Sequence, residues 1–202
     1  MSSVHFKPET AALVLIDHQV GTTQLVKNIM PDTAIRNAVL LGHAALAYGM
    51  PIVLTSSQED NIQGPLHPAI QEAMPDAYAA RIQRQGIVNA WTDPNFVKAI
   101  EATGRRQLIM AAVTTDICLV FPAISAVEAG YEVQAVMDAS GTDNPIAEDM
   151  SRRRMERAGV WLTSTNTMVA ELVQDWSTPQ GGPLVMEMTA IAPMLPVTWA
   201  TS

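Results

Sequence analysis

Short runs that are apolar at every position alternate along this chain with segments whose apolar residues recur at helical spacing. The first run is AALVLI, residues 11–16. An unbroken apolar stretch of that length suits a strand buried on both faces. After a loop through Gly21 and the pair Pro31-Asp32, the residues Ile35, Val39, Leu40, Ala44 and Ala47 trace a helix that Gly49 ends. Pro51 opens a second strand over 52–55, and a polar stretch with turn signals at Asn61 and Gly64-Pro65 runs to Pro68. A weaker third strand is expected over 79–83. Asp93-Pro94 pairs an N-cap with a proline at the first helical position, which predicts a helix to Ala102. The fourth strand, QLIMAAV at 107–113, is the most apolar and leads through Thr114-Thr115-Asp116 into a helical segment ending at Gly130. A fifth strand over 133–137, a polar loop over 138–144, a helix over 145–158, a sixth strand over 160–163 and a helix over 167–176 complete the pattern.

Strand and helix therefore alternate repeatedly, and the strands are apolar throughout. That pattern predicts an α/β protein: a three-layer, Rossmann-like fold with a mostly parallel six-stranded sheet and helices on both faces. Ligands of such sheets bind beyond the carboxyl ends of the strands, so functional residues should follow strands directly. One domain is expected over residues 1–177. Residues 178–202 differ, with Gly181-Gly182, four prolines, three methionines, Trp199 and a single charge at Glu187. They read as an apolar C-terminal arm, too proline-rich for a long helix, packed on the body or on a neighbouring subunit.

Composition changes the picture only by exclusion. An apolar fraction of 48% against 16% charged residues describes a folded chain. A net charge of −8 argues against a nucleic-acid surface, which needs clustered Lys and Arg. The one basic run, Arg152-Arg153-Arg154, shares its helix with Glu148, Asp149 and Glu156 and reads as a solvated face. No stretch is long and apolar enough to span a bilayer, and the first ten residues lack the layout of a secretion signal. With one cysteine, no intrachain disulfide can form. A reducing, cytoplasmic location is expected.

Cys118 falls in the first helical turn after the most apolar strand, where helix amides favour a thiolate and could serve an oxyanion. A lone cysteine is otherwise a small buried apolar residue, and only its place past a strand end makes it a candidate nucleophile. Asp17 follows the first strand and could take a thiol proton at the same sheet edge. A cation near the thiol could come from Arg84 or from Arg81. His5, His18, His43 and His67 show no paired spacing for a metal, and no glycine-rich loop follows the first strand, so neither metal nor nucleotide cofactor is expected.

These residues fall within stretches that resemble the isochorismatase-like cysteine hydrolase superfamily, its YcaC-type branch in particular. The stretches are Leu15-Ile16-Asp17-His18-Gln19, Gln83-Arg84 through Asn89-Ala90-Trp91, Ala112-Val113-Thr114-Thr115-Asp116-Ile117-Cys118, and Val136 through Thr142. The resemblance spans about residues 11–176. It implies a catalytic triad of Asp17, Arg84 and Cys118, the Asn89-Ala90-Trp91 match selecting Arg84 over Arg81. The family usually carries Lys where this chain has Arg84. The resemblance further implies a non-proline cis peptide at Val113-Thr114 that turns amides, including that of Cys118, toward an oxyanion. Gln19 and Trp91 are expected to bind substrate. The implied activity is hydrolysis of a small amide or related C–N bond through a thioester, in a homo-oligomer (tetramer or octamer). The alternative is a catalytically silent binding or scaffold protein that retains the fold. Against nicotinamidase-like metal dependence stands Ser56-Ser57-Gln58-Glu59-Asp60 after the second strand, and against isochorismatase chemistry stands Cys118 itself.

Overall fold

A computed structural model describes residues 5–191 of the chain. Six strands form one sheet: β1 (Ala11–Ile16), β2 (Ile52–Ser57), β3 (Ile82–Arg84), β4 (Gln107–Ala112), β5 (Glu132–Val136) and β6 (Trp161–Thr163). Their order is β3-β2-β1-β4-β5-β6, and all five pairings are parallel. The longer helices are α1 (Pro31–Ala47), α4 (Pro94–Ala102), α5 (Val120–Glu128), α6 (Pro145–Arg157), α7 (Thr165–Val173) and α8 (Gly181–Ile191), with the short α2 (Pro68–Ala73) and α3 (Pro75–Ala79) between β2 and β3.

Period-two alternation along the central strands divides the core in two. Leu13 and Leu15 of β1, with Ile109 and Ala111 of β4, pack beneath Leu40, Leu41 and Ala44 of α1 and Met168, Val169 and Leu172 of α7. Ala12, Val14 and Ile16, with Leu108, Met110 and Ala112, face Phe96 and Ile100 of α4, Ala123 and Ala126 of α5, and Met155 of α6. Each of these large aliphatic side chains contributes about 1.5–3 kcal/mol by leaving water. Slipping β1 by one residue would exchange the two sets, so its register is fixed from both faces.

Two local expectations are corrected, and two short helices are added. The third strand is shorter and later than 79–83, because Pro75 starts α3 and the chain becomes extended only at Ile82. Helices α2 and α3, each opened by a proline, fill the stretch after Pro68 for which the sequence pattern named no element. The arm does contain an eleven-residue helix, α8. Its Pro183 stands in the first turn, where a backbone N–H would have no intrahelical acceptor. Leu184 joins the core beside α1 and α7, and Glu187 accepts from His43 Nδ1 of α1 at 2.8 Å. The rest of the expected arm, residues 192–202, lies outside the described residues. Among the described residues, no helix is long and apolar enough to cross a membrane.

The strand order reverses direction between β1 and β4, since the chain winds outward through β2 and β3 on one side and through β5 and β6 on the other. The carboxyl ends of β1 and β4 therefore flank the crevice where doubly wound sheets bind their ligands. Asp17 is the first residue past β1, and Cys118 lies six residues past β4.

Candidate active site

Asp17 leaves β1 in a left-handed conformation, φ 57°. Its amide donates to the Thr55 carbonyl at 2.9 Å, and its carbonyl accepts from Thr22 Oγ1 at 2.6 Å. Both bonds hold the turn that directs a buried carboxylate into the crevice. Gln58, just past β2, has φ 49°. Non-glycine residues adopt this region rarely, at a cost of about 1–3 kcal/mol that the surrounding structure must offset.

Arg84 ends β3 and is only 1% exposed. Its guanidinium reaches three elements. Nε donates to Thr55 Oγ1 at 3.0 Å, Nη1 to the Ile87 carbonyl at 2.6 Å, and Nη2 to Asp17 Oδ1. The planar fork suits this three-way task, which the point charge of a lysine could not reproduce. Arg81 turns elsewhere, donating to both Glu59 oxygens at 2.7 and 2.8 Å and lying over the Tyr78 ring.

Cys118 sits in a π-helical turn, Thr115–Leu119, that precedes α5. Single wide turns of this kind often mark functional positions. The preceding Val113-Thr114 bond is cis. The half-buried Cys118 thiol hydrogen-bonds to the Asp17 carboxylate, so Asp17 bridges the thiol and Arg84. Burial raises the Asp17 pKa above its ordinary value, and the Arg84 charge offsets this only in part. Burial also pushes the Cys118 thiol well above its usual range, and the Asp17 charge pushes it further. The expectation that helix amides favour a resting thiolate is thereby corrected: desolvation and a neighbouring carboxylate outweigh the dipole.

The expected role of the Cys118 amide is also corrected, because it donates to the Thr114 carbonyl at 2.8 Å within the wide turn. Gln19 does not line the crevice. It is fully buried, and its amide clamps the end of β2, donating to the Ser57 and Gly64 carbonyls and accepting from the Ser57 amide at 2.9 Å. Trp91 likewise turns away, packed edge-on against Phe96 and Tyr131 with ring centroids 6.1 and 5.3 Å apart. Both are aligned with the site in sequence, but packing consumes them. Phe121 on α5 lies beneath the Arg154 guanidinium. His18, although next to Asp17, is buried with Nε2 on the Ala139 carbonyl at 2.8 Å, and burial depresses its pKa to about 4. It is neutral at ordinary pH and takes no part in the triad.

Sequence reasoning missed the walls. Gln58, Gln63, Ile87, Val88 and Ile117 surround the triad in a cavity of about 170 Å³, and Leu25 and Ile62 border a second cleft that also reaches Cys118. These residues lie in loops and irregular turns without periodicity. The one available signal was isolated apolar residues, such as Ile62, amid polar neighbours. Among the described residues, no three His, Cys, Asp or Glu side chains are grouped to hold a metal ion.

Comparison with known proteins identifies the family. The isochorismatase domain family model matches residues 11–167. The Escherichia coli protein named probable hydrolase YcaC is 42% identical over 173 residues, covering 86% of this chain and 82% of that protein. The structure of YcaC from Pseudomonas aeruginosa, solved with hexane-2,5-diol and covalent acrylamide, superposes with a TM-score of 0.88 at 38% identity, over 95% of this chain and 96% of that one. That of E. coli YcaC, described as an octameric hydrolase of unknown specificity, gives a TM-score of 0.84 at 39% identity, over 95% and 90% of the two chains. A family match across most of the sequence, with similar structures over nearly its full length, places the chain in the isochorismatase family of hydrolases, in its YcaC-type branch.

Proposed function

We propose that the chain is a cysteine hydrolase of small amides or related C–N bonds, working through a thioester on Cys118. The observation that carries this reading is the Asp17 carboxylate lying between the Cys118 thiol and the Arg84 guanidinium at the switch point of the sheet. A buried carboxylate with a raised pKa is matched to accepting a thiol proton and returning it. Sulfur attacks the carbonyl carbon as Asp17 takes its proton, and the proton then passes to the departing nitrogen as the C–N bond breaks. Water, deprotonated by Asp17, hydrolyses the thioester and restores the thiol.

Arg84 is permanently charged, so it positions Asp17 and stabilises its ionised form without moving protons. With the Cys118 amide bonded to Thr114 O, the amide of Thr114, which has no backbone acceptor among the described residues, is the backbone donor for an oxyanion. The covalent acrylamide of Pseudomonas aeruginosa YcaC supports a reactive nucleophile in this branch, because acrylamide is an acceptor for thiols. The free thiol suits the cytoplasm.

The pH dependence of Cys118 alkylation tests the triad. An isolated thiol gains about tenfold in rate per pH unit up to its pKa. Here the proton moves within the pair, so the iodoacetamide rate is expected to be nearly flat through neutrality. It should fall on acidification as Asp17 protonates, at a pH above the ordinary carboxylate value of 3.8. A tenfold rise per unit from pH 5 to 8 would exclude Asp17 as the base. The octameric E. coli relative supports a homo-oligomer here as well. Light scattering is expected to give a multiple of the 21.8 kDa chain mass, and a monomer would refute the assembly.

A further inference from the structure

Two cavities of different character meet at Cys118. The smaller, about 170 Å³, is lined by Asp17 and Arg84 with Gln58, Ile87 and Val88. The larger, about 530 Å³, runs along Leu25, Gln24, Ile62, Val113 and Thr114. Thr22, Gln63, Ile117 and Cys118 belong to both.

From this division we propose that the substrate is an uncharged amide with an aliphatic acyl chain in the larger cleft, which releases ammonia or a very small amine through the smaller one. The inference rests on the Cys118 nucleophile and assigns the two sides of its substrate. Asp17 must return a proton to the departing nitrogen, and it lines only the smaller cavity, so the nitrogen lies there. That space, about 170 Å³ against about 530 Å³, is the smaller of the two and is assigned the smaller fragment. The acyl side must then point the other way, past Thr114 and Ile117.

The wall on that side selects for apolarity. Among the described residues that line it, Cys118 is the sole ionisable one, while Leu25, Ile62 and Ile117 stand 54%, 92% and 46% exposed around it. Aliphatic side chains held at a cleft mouth gain by covering an aliphatic ligand. A charged acyl group would find no counter-ion there, and the charges of the smaller cavity already pair with one another.

Linear aldehydes test this without requiring turnover. Cys118 sulfur adds to the aldehyde carbon, the thiol proton passes through Asp17 to the carbonyl oxygen, and nothing is released. The hemithioacetal blocks iodoacetamide, and protection is read by mass spectrometry of the intact chain. From propanal to hexanal, the protecting concentration is expected to fall about fourfold per added methylene. 5-Oxopentanoate, with a terminal carboxylate, is expected to protect at least about tenfold less well than pentanal. The double variant Leu25→Ser/Ile62→Ser changes two exposed side chains and should flatten the chain-length slope, with its folding checked by circular dichroism. A flat slope in the wild type, equal protection by the carboxylate aldehyde, or an unchanged slope in a folded double variant would each overturn the assignment. Failure of Cys118 to take up iodoacetamide without any aldehyde is a different result, which removes the nucleophile and this inference together.

Discussion

Replacing Cys118 by alanine is expected to abolish amide turnover and iodoacetamide uptake while leaving the fold intact. Removing the nucleophile of a triad costs on the order of 10⁴- to 10⁶-fold in kcat, since the remaining groups act only through it. Stability should change by no more than about 1 kcal/mol. The side chain is half-buried, and its loss leaves the Asp17–Arg84 pair and both core layers in place. The assay is ammonia release from a panel of small aliphatic amides, with thermal unfolding of the same samples as the control for folding. A Cys118→Ala protein that still turns over substrate would refute the thioester, whatever the wild-type thiol reacts with.

The largest stability effect is expected at Arg84. Arg84→Met removes the partner of a buried carboxylate and deprives Thr55 Oγ1 and the Ile87 carbonyl of their donor. Breaking a buried ion pair on one side costs about 3–5 kcal/mol, to be read from urea denaturation at equal protein concentration. The sign of its pH dependence follows from Asp17. A carboxyl group whose folded pKa is raised favours the folded state while protonated, and that contribution is lost as pH rises through the folded value. Without Arg84 the folded value rises further, so the deficit is expected to be greatest near neutrality and to shrink on acidification. Arg84→Lys keeps the charge but not the fork, and it should lose less stability than Arg84→Met. A deficit under about 1 kcal/mol for Arg84→Met would show that the pair is not holding the crevice together.

Much of this protein was legible before its structure. The buried runs at Ala11–Ile16 and Gln107–Ala112 were legible as strands, and their alternation with helices as a mostly parallel sheet, while the strand order came from the structure. Asp17 and Cys118 were recognisable because residues directly past such strands converge at one sheet edge. Choosing Arg84 over Arg81 rested on the resemblance, and geometry bears on it independently: one guanidinium turns to Asp17 and the other to Glu59.

The sequence by itself determined what period and position encode: the strands, the two-faced core and the edge where chemistry would gather. Only the tertiary structure decided how that edge is used. Gln19 and Trp91 share the stretches that carry the triad, yet one is consumed by β2 backbone groups and the other by aromatic packing. The protonation of Cys118 follows from how deeply it and Asp17 are buried together, and desolvation is a property of packed neighbours that no local pattern records. The same holds for the two cavities, whose walls come from loops far apart in the chain.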